Sequence, residues 1–195
     1  MSLKEEITAY VPENEQEEKD RSVMLRYLEL APDVLTRQNR IAHFTASSWI
    51  LNKEHTRVLM IYHNIYRSWS WTGGHADGEE NLLAVAVREA SEETGIGHFK
   101  VIHNGIFSLE ILTVDGHEKR GEYVPSHLHL NITYLLEADD GAELIVKPDE
   151  NSGVKWFSPE DAVSASTEPW MRERIYVKLI KKQYQSGREQ SMQGV

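Results

Sequence analysis

Glu89, Glu92 and Glu93 stand at i, i+3 and i+4 in a chain of 195 residues that already carries a net charge of −10. On a helix that spacing gathers three carboxylates onto one face, where they repel one another. Two readings compete. Glutamate-rich helices are most often solvated faces. Alternatively, a hard divalent cation, which prefers oxygen ligands, occupies the face and offsets the repulsion. Gly73 and Gly74 lie upstream of the segment, where the lack of a side chain lets backbone carbonyls come close to a ligand. A magnesium ion held this way commonly bridges carboxylates to substrate phosphates and makes a bound water more acidic. The chemistry implied is hydrolysis of a phosphate compound.

Other residues could touch such a substrate. His127 and His129 alternate with apolar residues in "HLHLNITYLLEA" (127–138) and share one side of a strand. With His43 and His75 they could contact phosphate or bind a transition metal. The ordinary reading is that they are polar residues on a sheet face. Tyr66, Arg67, Trp69 and Trp71 precede the glycine pair. They could stack on a base or grip a phosphate, although Trp71 could equally just pack its loop.

The elements that position these groups follow from hydrophobic period and punctuation. Residues 80–94 read as a helix, with Leu83, Ala86, Val87, Ala90 and Thr94 on its packing side and Gly95 as its left-handed terminator. Strands are expected over 43–52, 56–63, 100–114, 127–138 and 153–158, with 64–78 as an aromatic, glycine-bearing loop. An amphipathic helix over 13–31 stops before Pro32, a short helix starts within 158–163, and a last helix covers 168–185. On that last helix Trp170, Met171, Ile175 and Leu179 form an apolar stripe, read as core packing or as a homodimer contact. Strands around one central helix, with helices at both ends, predict an α/β/α sandwich with a mixed central sheet. The expected division is an N-terminal helical extension over 1–42, the main domain over 43–163, its last helix over 164–185 and a flexible tail over 186–195.

Composition removes several function classes. Cysteine is absent, which excludes disulfides, thiolate metal sites and a cysteine nucleophile. The acidic balance argues against a duplex nucleic-acid binder, which needs a basic face. No apolar run approaches the ~20 residues of a membrane span. The first residues lack a basic region followed by an apolar one, so a cytoplasmic protein without a secretory signal is expected.

Taken together, Gly74, Glu80, Arg88, Glu89, Ala90, Glu92, Glu93, Gly95 and Ile96 fill every fixed position of the Nudix box. That pattern is Gly, five residues, Glu, seven residues, then Arg-Glu-aliphatic-any-Glu-Glu-any-Gly-aliphatic, with Ala90 the weakest aliphatic. The likeness to Nudix domains extends more loosely over about 43–163. The resemblance implies a Nudix fold and Mg²⁺- or Mn²⁺-dependent hydrolysis of a diphosphate linked to another group, with a nucleoside diphosphate-type small molecule as substrate. It implies Glu89, Glu92 and Glu93 as metal ligands, with the Gly73 carbonyl beside them. Arg88 would orient the glutamates, and Glu80 would support the loop at the helix start. The general base would be Glu89 or a loop glutamate, for which Glu150 is the candidate and Asp149 and Glu143 are rivals. Thr72 stands where many members carry proline. The competing reading is a catalytically silent Nudix-fold protein that senses a ligand. It predicts a degraded box or an attached DNA-binding domain, and neither is visible. A diphosphate isomerase of the same superfamily would normally carry a cysteine.

Overall fold

The computed structural model describes residues 1–103, 105–119 and 121–193. Its centre is β1 (Ala42–Asn52), in which every residue is buried. Such a strand needs cover on both faces, and its run of small and apolar residues suits that. Beside it lies β9 (His127–Ala138), parallel and in register from Ala42 opposite Leu128 to Asn52 opposite Ala138. On the other side β2 (Val58–His63) pairs antiparallel, as does the short β4 (Thr72–His75). β3 (Ser68–Ser70) and β10 (Asn151–Phe157) add to β2, while β5 (Lys100–Val101) and β6 (Ser108–Val114) add to β9. The result is one mixed eight-stranded sheet. A separate hairpin joins β7 (His117–Lys119) to β8 (Glu122–Val124).

Helices close both faces. α3 (Leu82–Thr94) packs on one, and the Ser48 hydroxyl of β1 donates to the Ala86 carbonyl at 3.1 Å. Its start is capped by Asn81, whose side chain accepts from the Ala84 amide at 3.1 Å. Gly95 ends it in the left-handed region, with φ of 77°. Against the other face lie α4 (Pro159–Ala165) and the terminal helix, a π-helical turn over Met171–Tyr176 continuing as α5 (Val177–Gln193). The Trp49 indole of β1 stacks on Tyr176 at 5.6 Å and donates to Gln183 at 2.7 Å. The N-terminal helices α1 (Leu3–Ala9) and α2 (Glu15–Leu30) bring Leu3, Ile7 and Met24 into a cluster with Leu109, Leu130, Ile132 and Tyr134. This is the α/β/α sandwich expected. Among the described residues no helix is long and apolar enough to cross a membrane.

Several boundaries differ from the sequence reading. The loop expected over 64–78 contains β3 and β4, because Ser68–Ser70 pairs with β2 and Thr72–His75 pairs with β1 instead of staying free. The strand expected over 100–114 breaks into β5 and β6. α1 was hidden from a search for long apolar periods, yet its Ser2–Glu5 capping box is a readable signal. The last helix runs to Gln193, past the expected end at 185. Residues 104, 120 and 194–195 lie outside the described residues; the first falls in the expected strand 100–114 and the last two in the expected tail 186–195. Of the apolar stripe on the last helix, Met171, Ile175 and Leu179 are core, whereas Trp170 is exposed and faces the Arg174 guanidinium.

Candidate active site

The site forms where the last turns of α3 meet β4. Pairing of β4 with β1 sets Gly73 opposite Ser47 and Gly74 opposite Ala46. The Gly73 amide then donates to the Glu93 carboxylate at 2.9 Å. A Cβ on Gly74 would lie 2.7 Å from Glu89 Oε2, and one on Gly73 would lie 2.7 Å from the Ala46 carbonyl oxygen. Gly73 is therefore required by close approach to backbone, whereas at Gly74 it is the Glu89 side chain that would have to move. The Gly74→Ala variant will push the Glu89 carboxylate out of place. The expected result is a kcat about ten- to a hundredfold lower with little change in Tm, read by steady-state kinetics and calorimetry.

The three carboxylates have different surroundings. Glu93 is only 2% exposed, and its carboxyl is pushed up to about 8. Burial is the main cause. The Gly73 amide opposes it, the charges of Glu150 and Glu89 add to it, and Lys147 pulls the other way. Glu89 is also raised, first by burial and then by Glu92, against the opposing pull of Arg88. Arg88 Nη2 donates to Glu89 Oε1 at 3.2 Å. Glu92 is exposed and takes the Lys147 ammonium at 2.7 Å, and Lys147 also reaches Glu150 at 3.0 Å. Burial alone would depress Lys147, but its bonds to Glu92 and Glu150 hold it above its ordinary value.

This arrangement suits a divalent cation. Buried carboxylates that cling to protons mark a place short of positive charge, and the donors are all oxygens, as Mg²⁺ or Mn²⁺ requires. Nitrogen ligands for a softer ion are absent from this group of residues.

Glu150 reaches α3 through a loop the sequence did not position. The Asn151 side chain donates to the Glu93 carbonyl at 2.9 Å and accepts from the Lys147 amide at 3.2 Å. Ile145 donates to the Thr94 carbonyl at 2.8 Å. Lys147 and Asn151 escaped the sequence reading; the i, i+3 pairing of Lys147 with Glu150 was the one available hint. The rivals Glu143 and Asp149 are exposed. Glu80 is exposed and adjoins the cap, which is Asn81.

The expected substrate-binding residues separate into three places. Arg67 is exposed in the turn after β2, whose Asn64 bonds the Glu150 carbonyl at 3.0 Å. Trp71 is a correction: it is 8% exposed and packs edge-on against Tyr176 at 5.7 Å, so its ring is core and offers no face to a base. Only the position of the terminal helix decides this. His127 and His129 meet His43 and His75 at the start of β1 and β9. There burial, with the neighbouring imidazoles His75, His43 and His127, pushes His129 down to about 2. His43 is lowered as well, chiefly by burial. A groove of about 610 Å³ between α2 and the terminal helix contains no residue of α3 or β4.

A family model described as "NUDIX domain" matches residues 42–178. Among solved structures, an Ap4A hydrolase of C. elegans in a binary complex is similar, with a TM-score of 0.52 and 21% identity over 73% of this chain and 95% of that one. The dihydroneopterin triphosphate pyrophosphohydrolase of E. coli matches with a TM-score of 0.52 and 16% identity, over 70% and 94% of the two chains. A MutT protein from Methanosarcina mazei Go1 matches with a TM-score of 0.50 and 16% identity, over 74% and 97%. At these identities the likeness establishes the fold alone. No curated protein matches the chain significantly.

Proposed function

The chain belongs to the Nudix hydrolase family, and from that premise we propose that it is a divalent-cation-dependent pyrophosphohydrolase. Its substrate class is a nucleoside diphosphate derivative, cleaved at the P–O–P link with Mg²⁺ or Mn²⁺. The observation that carries this reading is the charge-starved carboxylate pair, buried Glu93 and half-buried Glu89, set against the Gly73–Gly74 backbone. The name of one similar structure, an Ap4A hydrolase, supports the nucleotide class, and that of another, a dihydroneopterin triphosphate pyrophosphohydrolase, supports cleavage of a P–O–P link.

In this proposal Glu89, Glu92, Glu93 and the Gly73 carbonyl hold the cation. When bound, it neutralises phosphate oxygens and acidifies a water. Arg88 restrains the Glu89 carboxylate through their hydrogen bond. Glu89 takes the proton as water attacks phosphorus and the bond to the bridging oxygen breaks, which releases two phosphorylated products. Glu150 is the other candidate base, and it shares the Lys147 ammonium with Glu92. Arg67 extends from the turn bonded to the Glu150 segment and is proposed to meet a substrate phosphate.

The test is a panel of nucleotide sugars, dinucleoside polyphosphates, NADH, ADP-ribose and oxidised nucleoside triphosphates with each cation. Turnover that chelation abolishes is expected on at least one, and no turnover on any of them rejects the proposal. Glu89→Gln should then cost kcat more than Glu150→Gln, by about tenfold. The reverse order assigns the base to the loop.

A further inference from the structure

Four histidines from three strands converge at one end of the sheet, outside the acidic cluster. The parallel register puts His129 of β9 beside His43 of β1, and β4 brings His75 opposite Thr45. Side chains alternate along strands, so His43, Thr45, His127 and His129 share one face. The His43 ring centroid lies 5.1 Å from that of His75, 4.9 Å from His127 and 5.1 Å from His129. One ring nitrogen from each of His43, His75 and His129 lies within 4.8 Å of the others. His127 Nε2 is 3.2 Å from His129 Nε2.

Hydrogen bonding fixes which atoms face inward. His43 Nδ1 sits 2.9 Å from the Asn39 carbonyl, and His127 Nδ1 sits 2.8 Å from the Pro125 carbonyl. A carbonyl can only accept, so each Nδ1 carries the proton and each Nε2 presents a lone pair. His43 is 4% exposed and its Nε2 has no hydrogen-bond partner. A buried acceptor left in that state is costly and needs an explanation. A phosphate cannot supply it, because an anion needs N–H donors. A cation can. An imidazole that gives one N–H to a backbone carbonyl and turns its other nitrogen to an ion is the usual arrangement at metal sites. Imidazole ligands select zinc, cobalt, nickel or copper over magnesium.

We propose that His43, His75, His127 and His129 form a second metal site, which takes a borderline transition ion such as zinc(II) and is separate from the acidic site on α3. Zinc–nitrogen bonds of ~2.1 Å place tetrahedral ligands ~3.4 Å apart, so small rotations of the rings complete the geometry. His75 follows Gly73 by two residues on β4. An ion here ties that strand to β1 and β9, and so braces the glycine pair.

The test uses tag-free, chelator-stripped full-length protein titrated with zinc(II) by calorimetry, followed by X-ray absorption of the zinc-loaded form. The expected result is one ion per chain in an imidazole-nitrogen shell, retained in Glu89→Gln. His129→Gln should weaken zinc binding by about tenfold or more, and half-buried His127→Gln should do the same should the first variant fail to fold. Absence of zinc uptake by the wild-type protein overturns the proposal. So does an all-oxygen shell, or loss of zinc in Glu89→Gln with retention in the histidine variants. Because the readout is metal binding and not turnover, failure here leaves the hydrolase reading intact, and the converse also holds.

Discussion

Glu93→Gln is expected to lower kcat by about a hundredfold and to leave the protein folded. Glutamine keeps the shape and an oxygen that can still accept from the Gly73 amide, so the join between α3 and β4 survives. What it loses is the negative charge that a divalent ion needs. The same substitution changes the pH dependence of the metal-free protein. The Glu93 carboxyl sits at about 8 in the fold against an ordinary 4.5. Its value is raised, so the folded state keeps a proton that the unfolded chain gives up. The stability this contributes is complete below about pH 4.5 and is lost as pH rises to about 8. Metal-free wild type should thus weaken over that window, by on the order of a few kcal/mol. Added Mg²⁺ or Mn²⁺ should restore it near pH 8, whereas Glu93→Gln should show a flatter profile and little response to cation. Thermal melts across pH, with chelator and with cation, measure this. An unchanged kcat, or identical melts for the two proteins, removes Glu93 from the proposed cation site.

Lys178→Met should be the most damaging single change to stability. The Lys178 ammonium lies 2.9 Å from Glu110 and 3.2 Å from Glu17, both fully buried. Lys182 adds a contact of 2.9 Å to Glu17 and one of 2.6 Å to the Tyr10 hydroxyl. Ser108 donates to Glu17 at 3.0 Å and also bonds Glu110. This network joins α2, β6 and α5. Removing one ammonium strands the buried Glu110 carboxylate and leaves Glu17 with Lys182 alone, at a cost of about 3–5 kcal/mol. For a chain of this size that is a fall in Tm of roughly 10 °C. Adding Glu110→Gln to Lys178→Met should recover part of the loss, since it removes one stranded charge. Burial by itself would raise Glu17, but Lys178 and Lys182 overcome it and hold the carboxyl at about 2. That value is depressed, so its stabilisation is present above about pH 4.5 and fades as pH falls toward 2. Wild type should therefore lose stability on acidification more steeply than the double variant. Chemical denaturation at several pH values measures both effects, and a single variant within ~0.5 kcal/mol of wild type refutes the account.

The buried network also explains a gap in the sequence reading. Glu17 lies in the acidic opening of α2, where a charge run reads as a solvated helix start. Lys178 and Lys182 read as basic residues suited to the end of the last helix. Neither local pattern indicates that the two ends of the chain meet over β6.

What the sequence determined by itself is what lies within a few turns of chain. The i, i+3, i+4 spacing of Glu89, Glu92 and Glu93, the left-handed Gly95 and the alternation of 127–138 all follow from the helix and strand repeats. These features gave α3 and β9 and put the three acids on one face before any contact was known. Tertiary structure alone decided how distant pieces meet. It brought Glu150 and Lys147 to α3, sank Trp71 beneath the terminal helix, and set His43 beside His129. The reason is physical: a repeat of 3.6 or 2 residues orients a side chain relative to its own element. Strand register and helix docking, by contrast, depend on surfaces far apart in the chain that must be buried together.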